Sequence, residues 1–119
     1  MKTEFGTLRV WRIAKDLTVD VYKMSRASRL LSRDFRLKDQ MCAAAVSIAS
    51  NIAEGEELYS NKQSNRHFYI AKGSAAELMT QLIIANEIGY IAKTDLVMLM
   101  SKCEYVSAML QKLIVARRE

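Results

Sequence analysis

No proline occurs in the 119 residues, and glycine occurs only four times. A many-stranded sheet needs tight turns, and tight turns draw heavily on those two residue types. The chain is therefore equipped for long uninterrupted helices and poorly equipped for a sheet. Its apolar residues agree, because they recur at three- and four-residue spacing. From about 5 to 31, Val10, Ile13, Ala14, Leu17, Val21 and Met24 share one helical face, with Arg9, Arg12, Asp16, Asp20 and Lys23 opposite.

Residues 32–38 break this period and read as a loop. A second segment over 39–57 carries Met41, Ala45, Ile48 and Ile52 as its stripe. It is rich in small residues, among them Cys42, Ala43, Ala44, Ser47 and Ala49, so a neighbouring helix should approach it closely. After a connection at 58–61, Ser60 and Gln63 have the spacing of a capping box. The third segment, 61–88, keeps Phe68, Ala71, Ala75, Leu78, Leu82 and Ala85 in register, and Gly89 follows where a C-cap belongs. Thr94 offers an N-cap oxygen, with Asp95 in the first turn, for a fourth segment over 95–117. Its inward residues read as Leu96, Leu99, Cys103, Val106, Leu110 and Leu113. Short connections between long helices force neighbours to run antiparallel. The expected fold is all-α: one antiparallel up-down-up-down four-helix bundle domain spanning 1–119.

Several function classes find no support. No apolar run approaches the roughly 20 residues that span a bilayer, and no signal peptide opens the chain, so a cytoplasmic protein with no membrane partner is expected. Cys42 and Cys103 form no CxxC and read as small core residues in a reducing compartment. There is no GxxxxGK[ST], GxGxxG or GxSxG motif. His67 is the only histidine and reads as a solvent-facing helix residue, with no zinc spacing around it. Glu54, Glu56 and Glu57 oppose the dipole at the end of the second segment, and Arg66 or Lys72 of the next helix could reach them. No catalytic residue, metal or cofactor is expected, and the chain does not read as an enzyme.

Charge and surplus apolar surface are more informative. The net charge is +5, but residues 1–38 hold ten Lys/Arg against four Asp/Glu, 39–61 none against four, and 62–119 eight against five. A basic segment of that kind suits a polyanionic partner. Leu8, Trp11 and Tyr22 lie beside the main stripe of the first segment, and Met98, Tyr105 and Met109 beside that of the fourth. Large side chains left in water forgo roughly 1.5–3 kcal/mol each, so these six are expected at an interface with further copies of the chain.

Polar residues also repeat at helical spacing: Ser47, Asn51 and Glu54, with Gly55, on the second segment, and Gly73, Ser74 and Glu77 on the third. Pairing the two helices through their short connection brings Ser47 level with Lys72 and Gly73. The expectation is a close helix contact at Gly73 with hydrogen-bonded Ser, Asn and Glu around it. Gly73→Leu should then overpack it and cost several kcal/mol (about 1–3 at an ordinary core site).

The runs SIASNIAEG (47–55), AKGSAAEL (71–78) and IGYI (88–91), with Phe5, Leu8, Trp11 and Gln40, resemble the bacterial four helix bundle proteins encoded in intervening sequences of 23S ribosomal RNA genes. That resemblance covers nearly the whole chain. It implies a four-helix bundle assembled as a ring-like homopentamer, with RNA binding as its role. The family is similar to the accessory protein of diversity-generating retroelements, a basic pentamer that binds nucleic acid, so a reverse transcriptase is an implied partner as well. Two departures stand out. The family commonly carries paired arginines near 42 and 43, where this chain has Cys42 and Ala43, and Lys38 stands where a Ser or Thr cap is usual.

The leading expectation is a homo-oligomer that binds structured RNA through Lys23, Arg26, Arg29, Arg33, Arg36 and Lys38, by phosphate contacts. The alternative is a protein-interaction scaffold that binds no nucleic acid.

Overall fold

Ser28 decides where the first long helix stops. Its backbone turns extended, and its hydroxyl accepts the Leu31 amide at 3.1 Å, which starts a new helix instead of prolonging the old one. Six residues on, Asp34 repeats the device, its carboxylate accepting the Leu37 amide at 3.1 Å. The computed structural model describes residues 5–57 and 60–118, and among these the elements are α1 (Phe5–Ala27), α2 (Arg29–Arg33), α3 (Phe35–Glu57), α4 (Asn61–Glu87) and α5 (Lys93–Ala116). The fold is all-α. Two expectations are corrected here. The first helix ends at Ala27 rather than 31, and 32–38 is not a loop but the end of α2 and the opening turn of α3.

Of the connection expected at 58–61, Leu58 and Tyr59 lie outside the described residues. Ser60 does cap α4, accepting the Gln63 amide at 3.1 Å. At the other end Gly89 takes φ +82°, its amide donates to Asn86 carbonyl at 3.0 Å, and the Tyr90 amide donates to Ala85 carbonyl at 2.8 Å. That pair of bonds is a Schellman closure, which needs the left-handed residue that glycine supplies. Thr94 does not cap α5. The helix starts two residues earlier, behind Ala92, without a side-chain cap. Asp95 remains in the first turn, where a carboxylate suits the dipole.

The four long helices meet in a cycle, α1 on α3, α3 on α4, α4 on α5 and α5 on α1. Hydrogen bonds fix their directions. Ser64 reaches Gly55, His67 reaches Asn51 and Ser74 reaches Ser47, so α3 and α4 run oppositely. Thr18 and Ser25 on Ala45 and Cys42 do the same for α1 and α3. Asn65 and Lys72 on Ile114 and Gln111 do it for α4 and α5. The shape is a rod of 46 × 21 × 19 Å.

Its core is the set of stripes read from the sequence. Val10, Ala14, Leu17 and Val21 of α1, Met41, Ala45, Ile48 and Ile52 of α3, and Phe68, Ala71, Ala75, Leu78, Leu82 and Ala85 of α4 have no exposed surface. On α5, Leu99, Cys103, Val106 and Leu110 are equally buried; Ile114 takes the inward place expected of Leu113, which only flanks the core with Leu96. Cys42 and Cys103 are buried free thiols. No helix among the described residues is long and apolar enough to cross a membrane.

Candidate functional site

At one end of the rod the chain turns from α1 through α2 into α3, and every residue expected to meet nucleic acid lies on that turn. Lys23 and Arg26 close α1, Arg29 and Arg33 are on α2, and Arg36 and Lys38 open α3. The corner between α4 and α5 holds this turn in place. Ser28 donates to the Tyr90 carbonyl at 2.7 Å, and the Tyr90 hydroxyl donates to the Asp34 carboxylate at 3.1 Å. Donating to that carboxylate raises the phenol's pKa above its ordinary value. Five of the six cations are exposed; Lys38 is half-buried, with its ammonium 4.9 Å from the centre of the Phe35 ring. Among the described residues none of the six has a carboxylate within 4.0 Å.

Of the acids in this region, Asp34 and Asp20 are occupied elsewhere, while Asp39 stands exposed beside Lys38 on the groove between α1 and α3. Asp34 holds the Leu37 amide and Tyr90, and Asp20 pairs with Lys102 of α5. Between α1 and α3 lies an open groove of about 700 Å³ lined by Tyr22, Arg26, Lys38 and Ala43, among others. Cys42 and Ala43 lie along it, the two positions at which the resemblance implies arginines. Burial raises the pKa of the Cys42 thiol here, partly opposed by the Ser25 hydroxyl 4.0 Å away.

A second cluster of positive charge escaped sequence reasoning. Lys62, Arg66, Tyr69, Arg117 and Arg118 line a cleft of about 520 Å³ at the opposite end, together with Asn65. Four of its residues come from the start of α4 and two, Arg117 and Arg118, from just past the end of α5, so only antiparallel pairing assembles it. No local signal announces it.

Behind these surfaces runs the polar seam between α3 and α4. Ser47 and Ser74 hydroxyls are 2.8 Å apart. Asn51 donates its amide to the Ser47 carbonyl at 2.9 Å and hydroxyl at 3.2 Å, which leaves its oxygen to accept from His67 Nδ1 at 2.9 Å. Glu54 Oε2 lies 3.2 Å from the same nitrogen. His67 is thus half-buried in a network and not the solvent-facing residue expected. Ser47 is level with Ser74 rather than with Lys72, which donates to Gln111 of α5 instead. Glu77 is exposed and accepts only from Gln81, at 3.4 Å, so it takes no part in the seam.

The two glycines exchange roles. Gly73 is exposed, and a Cβ there would meet nothing within 4 Å, so it is not the close-contact residue. Gly55 is. A Cβ at Gly55 would stand 2.7 Å from Phe68 Cε1 and 3.1 Å from the Ser64 carbonyl oxygen. Phe68 carries the Arg117 guanidinium 5.2 Å from its ring centre, and Arg117 pairs at 3.4 Å with the buried Glu56. Of the acids at the end of α3, Glu54 meets His67 and Glu56 meets Arg117, rather than Arg66 or Lys72.

Of the residues expected at an interface, Tyr22 and Met98 are exposed, while Leu8, Trp11, Tyr105 and Met109 are half-buried. Trp11 and Met109 pack on the core, and the Arg9 guanidinium stands 5.9 Å from the Tyr105 ring centre. No group of three or more His, Cys, Asp or Glu among the described residues is placed to hold a metal ion.

Comparison with known proteins agrees with this architecture. Residues 6–112 match the family model described as 23S rRNA-intervening sequence protein. No curated protein matches. A crystal structure from Bacteroides thetaiotaomicron, a protein of unknown function from the S23 ribosomal protein family, is similar with a TM-score of 0.83 and 18% identity. The alignment covers 93% of this chain and 99% of that one, and at this identity it speaks for the fold.

Proposed function

We propose a function on this premise: the chain belongs to the 23S rRNA-intervening sequence protein family. Its helices form an antiparallel up-down-up-down bundle, copies of it assemble into a homo-oligomer, and the assembly binds structured RNA in the cytoplasm without catalysing a reaction. The resemblance read from the sequence sets the assembly at five chains. One observation carries the reading: the α1–α2–α3 turn presents five exposed cations without carboxylate partners among the described residues, while Asp34 and Asp20 beside them are tied into the fold. Cations on a rigid turn meet phosphates at small entropic cost, and such contacts set affinity and register without reading bases. Repetition around an oligomer converts a modest patch into a multivalent surface.

A binding role also suits the seam. His67 gives its Nδ1 to Asn51 and Glu54, and no serine hydroxyl among the described contacts bonds to the imidazole. The arrangement supports helix pairing better than proton transfer.

The test is a titration of structured RNA at 50 and 200 mM salt. Affinity should fall by about 10³-fold or more if six phosphate contacts form. Reversing Arg29, Arg33 and Arg36 to Glu should lower the salt slope by roughly one per residue. Absence of binding at low salt sinks the reading in favour of a protein-interaction scaffold.

A further inference from the structure

The cleft at the far end of the rod from the α1–α2–α3 turn is lined by four cations, Asn65 and Tyr69, and no carboxylate among the described residues lines it. Lys62, Arg66 and Tyr69 stand four and three residues apart on α4. Successive turns of one face therefore carry an ammonium, a guanidinium and a phenol over about 10 Å. All three side chains are exposed, Tyr69 to 50%, and Arg118 is exposed across from them. The two arginines from the end of α5 differ. Arg117 is spent on Glu56, Phe68 and Thr7. Lys62, Arg66 and Arg118 have no carboxylate within 4.0 Å among the described residues.

A buried side chain holds these like charges together. Asn65 donates its amide to the Ile114 and Arg117 carbonyls at 3.1 and 3.3 Å, which ties the start of α4 to the end of α5. Its oxygen is left without a partner among the described residues, so the side chain is kept for those two bonds. They also cover carbonyls at the negative end of the α5 dipole, while the positive end of the α4 dipole faces the same region. Both effects favour an anion.

We infer that this cleft is a second nucleic-acid site and that it takes unpaired nucleotides of an RNA strand, with phosphates between Lys62, Arg66 and Arg118 and a base against the Tyr69 ring. Cations alone suit any polyanion. The exposed ring among them selects, because a base can stack on it only when it is not already stacked inside a duplex. An acidic protein segment would use the cations and leave the ring idle. The choice of RNA rests on the function proposed above. The site itself does not depend on the turn, which lies at the other end of a rod 46 Å long.

The test compares binding of the full chain to a fluorescent oligouridylate of about ten nucleotides, a span typical of single-strand sites, with binding to a blunt RNA duplex. The wild type should bind the single strand at low salt. Reversing Lys62, Arg66 and Arg118 to Glu should lower its salt slope by about two, at roughly 0.7 per phosphate contact, while the duplex loses far less. Tyr69→Ala should weaken the single strand about fivefold or more with the slope unchanged. Tyr69→Phe should keep the wild-type affinity, because stacking needs the ring and not the hydroxyl. Circular dichroism should match the wild type throughout, since every altered side chain is exposed. Equal affinities for Tyr69→Ala and the wild type overturn the base contact, and the inference with it. Loss of the single strand on reversing Arg29, Arg33 and Arg36, but not on reversing the cleft, overturns it too and leaves the turn as the site. Uridine monophosphate that competes equally per nucleotide would make the cleft a mononucleotide pocket and overturn the strand. Polyglutamate binding more tightly than oligouridylate would give the cleft to an acidic protein instead. A wild type that binds the duplex alone sinks only this site; one that binds neither RNA sinks the function proposed above as well.

Discussion

Around Gly55 an added methyl would press on Phe68 and on a backbone oxygen, whereas around Gly73 it would meet open space. The two glycines sit on neighbouring helices, yet they serve opposite sides of the molecule. Gly55 belongs to a knot: Phe68 fills the space it leaves, Arg117 lies over Phe68, and Glu56 holds Arg117. Ser64 adds a 2.7 Å bond to the Gly55 carbonyl, one of the last in α3 and without a partner in its own helix. Gly73 has no such dependants. A glycine inside a helix carries a similar propensity cost at either site, so packing decides what each is for.

The knot is the easier side to break. Glu56→Ala should have the largest effect, because it removes a carboxylate whose side chain is only 1% exposed together with its bond to Arg117. Removing one partner of a buried pair costs about 3–5 kcal/mol. The lower end is expected, since Arg117 also leans on Phe68 and reaches the Thr7 hydroxyl at 3.5 Å. Urea denaturation measures it, and a loss below about 1 kcal/mol, the range of exposed pairs, would mean the pair behaves as a surface one.

Gly55→Ala comes next. The Phe68 ring can shift by a few tenths of an ångström, but the Ser64 carbonyl is backbone held by α4. Overpacking of this kind costs about 1–3 kcal/mol. A melting temperature equal to that of the wild type would show that the knot yields, and the contrast with Gly73 would lose its inner half.

Alkaline pH probes the same interior by another route. Burial pushes the Cys103 thiol up to about 12 from an ordinary value of 9.0. Between those values the unfolded chain gives up this proton while the folded chain keeps it. The folded state thus binds more protons, and stability falls as pH rises through the window, by up to about 1.4 kcal/mol per unit. Cys103→Ala should flatten that slope when unfolding is followed from pH 9 to 11. An identical slope in both proteins would assign the loss to other groups.

These contrasts show which parts of the fold were legible beforehand. The buried stripes were, because a period of 3.6 is a property of each helix alone. Even Gly55 was within reach, since it falls three residues after Ile52 on the same stripe. At about 100° per residue, Gly73 lies on the far side of α4 from Ala71 and Ala75, so its outward position was also there to be read. What hid it was the pull of the motif around it, Ser74 being in the seam one residue away. The break at Ser28 and the early start of α3 at Asp34 were announced by two good capping residues, overshadowed by the apolar run through Leu30 and Leu31. His67 and the Lys62–Arg118 cleft are different in kind. Each depends on how two helices are offset, and no single helix encodes that offset. The cations of the α1–α2–α3 turn could be listed from the sequence, but not the fact that Asp34 and Asp20 are engaged elsewhere.

The smallest effect is the most discriminating. Gly73→Ala should stabilise the isolated protomer by about 0.5–1 kcal/mol, because alanine loses less conformational freedom on folding and meets nothing within 4 Å. The sign is opposite to that at Gly55, although the chemical change is the same. Thermal melts of both proteins would show the gain, and a melting temperature for alanine below that of the wild type would mean that Gly73 serves a close contact after all.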